Sequence, residues 1–423
     1  MRKQLLKDSA VYIGGSIIVQ ILGFIGLIFL MQFLPVSEYG KYIYIIEFIM
    51  IFAFFSDGGF TQHIIKESSQ NPDNIQSIYS KAQSAQLIIS AAMLILILSI
   101  SYASNSLNDF YYLSVFGISV VINAYFAPML AIFVASGRKD LIFYKDVSLS
   151  VLKLLFMLAG IYYKASLEYF IFLGFINCFV LLMLVLYTRY KKEFTYLFNV
   201  KLDLSGSLTF IRQGFLFTVL MAANVIYNKI DIIMLEKMTG SIEVGYYAGA
   251  TRFIYPFMFI SGSFMTAIFP SLAKHAEDKE KFKSIQYLAL YYLGGIGILL
   301  STCLFLGSDI LFELFFNHKY DESIPVFKVL VWYLAIVFIY GSISNNLVAK
   351  NKVKFLVYLN LIMIVLNVAL NFFLIPVYGA KGAAIATIIC ELLILVSAGV
   401  YWRVVGGMKE EVGGRRTEVG SRR

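Results

Sequence analysis

Between Tyr169 and Tyr187 the chain reads Tyr-Phe-Ile-Phe-Leu-Gly-Phe-Ile-Asn-Cys-Phe-Val-Leu-Leu-Met-Leu-Val-Leu-Tyr, with no charged residue, and then turns to Thr188-Arg189-Tyr190-Lys191-Lys192. A helix needs about 20 apolar residues to cross a hydrocarbon core. Only segments that satisfy their own backbone hydrogen bonds can do so. Working outward from this segment, similar runs are expected to span at 10–33, 42–60, 82–102, 111–135, 147–163, 169–187, 210–235, 244–273, 285–306, 324–348, 355–375 and 380–402. The 423 residues are 59% hydrophobic and only 14% charged, where a soluble domain carries about 25% charged residues. The expected fold class is an all-α polytopic membrane protein with twelve transmembrane helices. The first run is too long for the apolar core of a signal peptide and reads as a permanent span.

Loop charges set the orientation. With a cytoplasmic N-terminus, twenty basic residues fall in the inner connections before the C-terminal segment and five in the outer ones. Both termini are therefore expected to be cytoplasmic. The basic segment from Arg189 to Arg212 separates two sets of six spans. This gives an N-terminal bundle at 1–190, a connecting loop at 191–209, a C-terminal bundle at 210–402 and a disordered cytoplasmic tail at 403–423, whose Gly, Glu and Arg content cannot build a core. The net charge of +9 reads as a topology signal that also meets anionic lipid heads, with no nucleic acid as partner.

The two sets echo each other. Glu38-Tyr-Gly40-Lys-Tyr42-Ile-Tyr-Ile-Ile-Glu47-Phe48-Ile49 and Glu243-Val-Gly245-Tyr-Tyr247-Ala-Gly-Ala-Thr-Arg252-Phe253-Ile254 match at five of twelve positions without a gap. Six spans per half make them parallel repeats, an arrangement that places a cavity at the repeat interface. The alignment sets Glu47 against Arg252.

Charged residues inside spans are costly and default to functional candidates. They are Glu47, Asp57, Lys153, Lys229, Asp231, Arg252, Lys328 and Glu391. Asp57 and Lys328 lie near span ends, where pairing or snorkelling explains them. Lys153, Arg252 and Lys229 are candidate cavity cations, and Asp231, Glu47 and Glu391 candidate ion-coupling carboxylates. Asn224, Asn228 and Asp231 follow i, i+4, i+7 and form a polar stripe on the seventh span. Asn360, Asn367 and Asn371, at i, i+7 and i+11, repeat that theme on the eleventh. Asn224, Asn228 and Asn367 are expected to line the cavity.

Catalytic constellations are missing from the sequence. There is no phosphate-cradling glycine loop followed by Lys-Ser/Thr, and His63, His275 and His318 lack metal-ligand spacing. Cys178, Cys303 and Cys390 lie in apolar spans, give no disulfide framework and read as small core residues. The chain is expected not to be an enzyme and to need no cofactor. A transporter so built is driven by an ion gradient or by its substrate's own gradient.

An ordered set of short motifs carries a resemblance. They are Leu34-Pro35-Val36-Ser37-Glu38-Tyr39-Gly40, Asp231-Ile-Ile-Met-Leu235 followed by Glu243-Val-Gly245-Tyr-Tyr-Ala248, Phe269-Pro270-Ser271-Leu272, and Asn367 to Pro376 followed by Tyr378-Gly379-Ala-Lys-Gly382-Ala-Ala384-Ile-Ala386-Thr387. Together the chain resembles the Wzx-type O-antigen and capsule-unit flippases, relatives of the MATE multidrug exporters and the lipid II flippase. The resemblance implies two six-helix bundles in a V, MATE-like, in a bacterial inner membrane. It implies an undecaprenyl-pyrophosphate-linked oligosaccharide as substrate, flipped from the cytoplasmic to the periplasmic leaflet by proton or cation antiport. Membrane lipids, and the polymerase and chain-length proteins of the same pathway, are the implied partners. A cation, drug or metabolite exporter of the same fold is the alternative. It would favour an acidic cavity, which the even balance of intramembrane charges does not favour.

Overall fold

The computed structural model describes residues 2–57, 60–103, 106–198, 203–275 and 277–420, with side chains at all of these except 2–13, 55–57, 60, 62, 72, 196, 198, 204–205, 213–224, 279 and 405–420. The chain forms two compact units, Met1–Glu236 and Lys237–Arg423. The first holds α1 (Arg2–Phe33), α2 (Val36–Asp57), α3 (Phe60–Gln70), α4 (Ile75–Ala103), α5 (Leu107–Tyr125), α6 (Ala127–Ala135), α7 (Lys139–Tyr162), α8 (Leu167–Phe172), α9 (Phe175–Tyr190) and nearly all of α10 (Leu204–Met238). The second holds α11 (Ser241–Arg252), α12 (Tyr255–Lys274), α13 (Lys279–Leu306), α14 (Ser308–Phe316), α15 (Ser323–Leu330), α16 (Trp332–Ala349) and α17 (Val353–Gly420). No strand occurs among the described residues. The first unit thus takes in the seventh span, α10, which the sequence groups with the second half.

The protein is an all-α, multi-pass membrane protein, and the described parts of all twelve expected spans fall almost entirely on helix. Eight helical stretches are long and apolar enough to cross a bilayer, among them Val353–Val404, which holds two spans. The expected spans at 42–60, 147–163 and 210–235 lie largely on α2, α7 and α10. These three helices carry Glu47, Lys153, Lys229 and Asp231. A helix with such a charge cannot face lipid all round.

Four expected spans are each interrupted. Breaks fall at Phe126, at Leu173-Gly174, at Phe253-Ile254 and at Val331. Pro128 and Pro256 stand in the first turn of the helix that follows a break. There the missing N–H costs nothing, and the ring disfavours helical geometry in the residue before it. Pro270 sits inside α12, which continues through it.

Polarity runs inside out. Gln83, Gln86, Ser90, Ser101, Asp231, Asn346, Asn367, Asn371 and Glu391 are buried, whereas Leu155, Phe156, Leu182, Val365, Phe373 and Val396 are exposed. A water-soluble domain would show the reverse. The exposed apolar band is the lipid face, and buried polar groups bond to one another or to backbone. Gln83 donates to the Tyr125 carbonyl at 2.8 Å, and Asn371 donates to Asn367 Oδ1 at 3.0 Å. Of the cysteines only Cys390 is a core residue; Cys178 is half-buried and Cys303 exposed. The backbone of the 403–423 segment is helical as far as Gly420, an extension of α17 where composition predicts disorder.

The internal repeat is visible in burial. Tyr39 and Val244, Tyr42 and Tyr247, Ile45 and Ala250, Phe48 and Phe253, and Ile49 and Ile254 are all buried at matched positions. The same face of α2 and of α11 is thus turned into protein in each unit.

Candidate functional site

Two ion pairs join α2 to α10. Nearer the start of α2, the Lys41 ammonium lies 2.8 Å from Glu236 Oε1 and also pairs with Asp109 on α5. It stands 5.2 Å from the Tyr44 ring centroid. The three charged side chains are 19%, 7% and 8% exposed for Lys41, Glu236 and Asp109. Six residues further along α2, Glu47 Oε2 lies 2.6 Å from the Lys229 ammonium. That spacing is about 9 Å of helix rise. The polarity is reversed between the pairs, with the cation on α2 in the first and on α10 in the second. Asp109 is held in the first turn of α5, where the Ser106 hydroxyl accepts from its N–H at 3.3 Å.

Lys153 is different. It sits midway along α7, half-buried, and makes no ion pair or hydrogen bond with any described residue. The charge acting on it is that of Lys145, a like charge, which is itself paired with Asp146 at 2.8 Å. Packing of α1 on α7 explains how the sequence allows this. Gly26 comes against Leu154 and Met157, with no side chain of its own to fill the contact. A cleft on the same seam is lined by Ser16, Gln20, Phe143 and Asp146. Asp146 is seven residues, about 10 Å of helix, from Lys153.

The expected cations therefore part company. The Lys229 charge is met by Glu47. Arg252 is the last residue of α11, immediately before the break at Phe253-Ile254. The carbonyl end of the helix favours a guanidinium there. Lys153 is the candidate with no partner, and a mobile anionic ligand can supply one.

The polar stripe on α10 is split. Asp231 is buried and Asn228 exposed, while the Asn224 side chain lies outside the described residues. In the second unit, Glu391 is buried on the face of α17 that also carries Ala384, Thr387 and Ala398. Small neighbours let other helices approach it. Asn367 and Asn371 are buried as the spacing predicts, with Asn360 half-buried beside them. Ser342 and Asn346 of α16 are fully buried, and neither side chain has a hydrogen-bond partner among the described residues.

Sequence reasoning missed Lys41, Asp109 and Glu236. All three fall just beyond the apolar runs and read as loop residues. The signal was present in the helix formers around them, since α2 begins at Val36, α5 begins at Leu107 and α10 ends at Met238, each beyond the apolar run. At the opposite ends of the helices Arg138 bonds Asp140 at 2.9 Å and Glu193 at 2.5 Å. The Arg138 guanidinium holds the Asp140 carboxyl below the usual carboxylate range.

The profile of the family described as "Polysaccharide biosynthesis protein" matches residues 5–276. The MatE profile matches residues 217–373. A capsular polysaccharide biosynthesis protein, CapF, of Staphylococcus aureus is 23% identical over 47% of this chain and 52% of its own length. The chain thus spans about half the length of that curated relative. Among solved structures, the lipid II flippase MurJ in an inward closed conformation superposes with a TM-score of 0.73 at 16% identity, over 92% of this chain and 86% of that one. An inward-facing multidrug resistance MATE transporter of the MOP superfamily gives 0.72 at 14% identity, over 93% and 96%. The fold is that of these transporters.

Proposed function

The chain belongs to the polysaccharide biosynthesis protein family, and on that premise we propose that it is a flippase. It moves undecaprenyl-pyrophosphate-linked oligosaccharide repeat units from the cytoplasmic to the periplasmic leaflet of a bacterial inner membrane. The observation that carries this reading is Lys153, a cation within a membrane helix that no described side chain neutralises. A pyrophosphate bearing a polar glycan cannot cross hydrocarbon unaided. A lysine waiting inside the helices offsets its charge during passage, while the prenyl tail stays in lipid. No bond is made or broken, so no catalytic group is required. Membrane lipids are its surroundings, and the polymerase and chain-length proteins of the pathway are its expected neighbours. Movement is coupled to an ion gradient, with Asp231, Glu47 and Glu391 as carboxylates to test. Glu47 is the weakest of these, because Lys229 occupies it.

Depletion in the source bacterium is the test. Surface polysaccharide is expected to fall, with lipid-linked units accumulating on the inner leaflet. Normal surface polysaccharide, or accumulation of free sugars without the lipid carrier, would remove this function.

The proposed orientation places both termini and Arg189–Arg212 in the cytoplasm, and the segment from Gly307 to Ser323, which contains α14, on the outside. Single cysteines in a background lacking Cys178, Cys303 and Cys390 report it. An impermeant thiol reagent applied to intact spheroplasts is expected to label the α14 segment and not 189–212. The opposite pattern would invert the topology.

A further inference from the structure

We propose that Lys41, Asp109, Glu236 and the Glu47–Lys229 pair form an ionic latch that ties α10 to α2 and α5 and opens in each transport cycle. The inference rests on the reading of this chain as a transporter, whatever its substrate. Its basis is the position of the charges. Charged side chains fasten α10 to α2 at two levels, at 2.8 Å and 2.6 Å.

The energetics suit a latch better than a fixed brace. A buried ion pair gains little over apolar packing, because desolvation cancels most of the attraction. Separating the charges in a dry interior leaves ions that cost several kcal/mol each. The pairs therefore stay shut while dry and part when water reaches them. The geometry also lowers the cost of parting. Lys41 has a carboxylate on α5 as well as one on α10. If α10 withdraws, Lys41 keeps Asp109, and Glu236 moves away with α10 beside the exposed Lys237. The Tyr44 ring beside Lys41 holds the ammonium in place through the change. The reversed polarity of the second pair fixes the register in which α10 returns. A slip that brought Lys41 to Lys229 or Glu47 to Glu236 would set like charges together.

The test is a distance measurement that does not depend on the substrate. Spin labels are placed at Ser37→Cys and Ile233→Cys, both in the first unit, in the full chain, without the three native cysteines, in lipid nanodiscs. With the latch intact, a short distance is expected to dominate over a minor longer one. Lys229→Glu sets two carboxylates face to face and is expected to raise the long population at least five-fold. Adding Glu47→Lys rebuilds the pair in reverse and is expected to restore the original distribution. Lys41→Ala with Lys229→Ala removes both ties and is expected to make the long distance dominant. One unchanging distance in all four proteins would overturn the latch. So would a long population in Lys229→Glu that Glu47→Lys fails to reverse. Neither result bears on what is carried, which the depletion experiment tests separately.

Discussion

Lys153→Ala is expected to cut surface polysaccharide at least ten-fold while the protein remains in the membrane at full abundance. A hydrogen bond to a charged group is worth about 1.5–3 kcal/mol, and about 1.4 kcal/mol is a factor of ten. Loss of such a contact to a pyrophosphate therefore lowers the rate by about ten- to a hundred-fold. Stability should move the other way or not at all. An unpartnered ammonium among membrane helices is a cost to the fold, and alanine removes that cost. Lys153→Arg keeps the charge and is expected to retain part of the activity, because its planar fork meets phosphate oxygens differently. Thermal unfolding in detergent, read beside surface polysaccharide, checks the split. An alanine variant that loses both stability and polysaccharide would make Lys153 a structural residue. One that keeps full polysaccharide would remove it from the pathway.

Gly379→Val is expected to act on the fold instead. Gly379 joins the two arms of α17 at φ 54° and ψ −135°, a region essentially reserved for glycine that costs other residues about 1–3 kcal/mol. A β-carbon there would also run into the Glu243 carboxylate. That carboxylate accepts from the Ala380 N–H at 2.6 Å and so caps the second arm. Three residues on, a β-carbon at Gly382 would meet the Leu374 carbonyl, so the turn has no slack. The melting temperature of the Gly379→Val protein should fall by several degrees, and its abundance with it. Glu243→Ala removes the cap alone, worth about 0.5–2 kcal/mol, and should have the smaller effect. Gly399→Ala serves as the control, since a β-carbon at Gly399 meets nothing within 4 Å. Equal stability of the Gly379 and Gly399 variants would show that the turn is not strained.

Much of this was legible from residue pattern because lipid imposes it. The uncharged run 169–187 and its counterparts allow little except helix, and their described parts fall almost entirely on helix in the structure. The break before Pro256 followed from proline chemistry. The repeat of Glu38–Ile49 in Glu243–Ile254 reappears as matched burial, since both segments turn the same residues inward. Apolarity was a poor guide at helix ends. Lys41, Asp109 and Glu236 lie where hydropathy says loop, yet the helices run on and the charges are buried together. Partners were also invisible. Lys153 and Lys229 look alike as lysines inside spans, and only the structure shows that Lys229 faces Glu47 while Lys153 has no partner among the described residues. Arg252, aligned with Glu47 in the repeat, turned out to close a helix.

Flipping measured in proteoliposomes tests the central claim most directly. Purified protein is reconstituted with a pyrophosphate-linked oligosaccharide lipid, and the fraction reaching the opposite leaflet is followed with an imposed pH or sodium gradient. The predicted result is transfer that depends on the protein and on the gradient, and that Lys153→Ala slows at least ten-fold. Transfer no faster than in protein-free vesicles, under every gradient tried, would contradict the account.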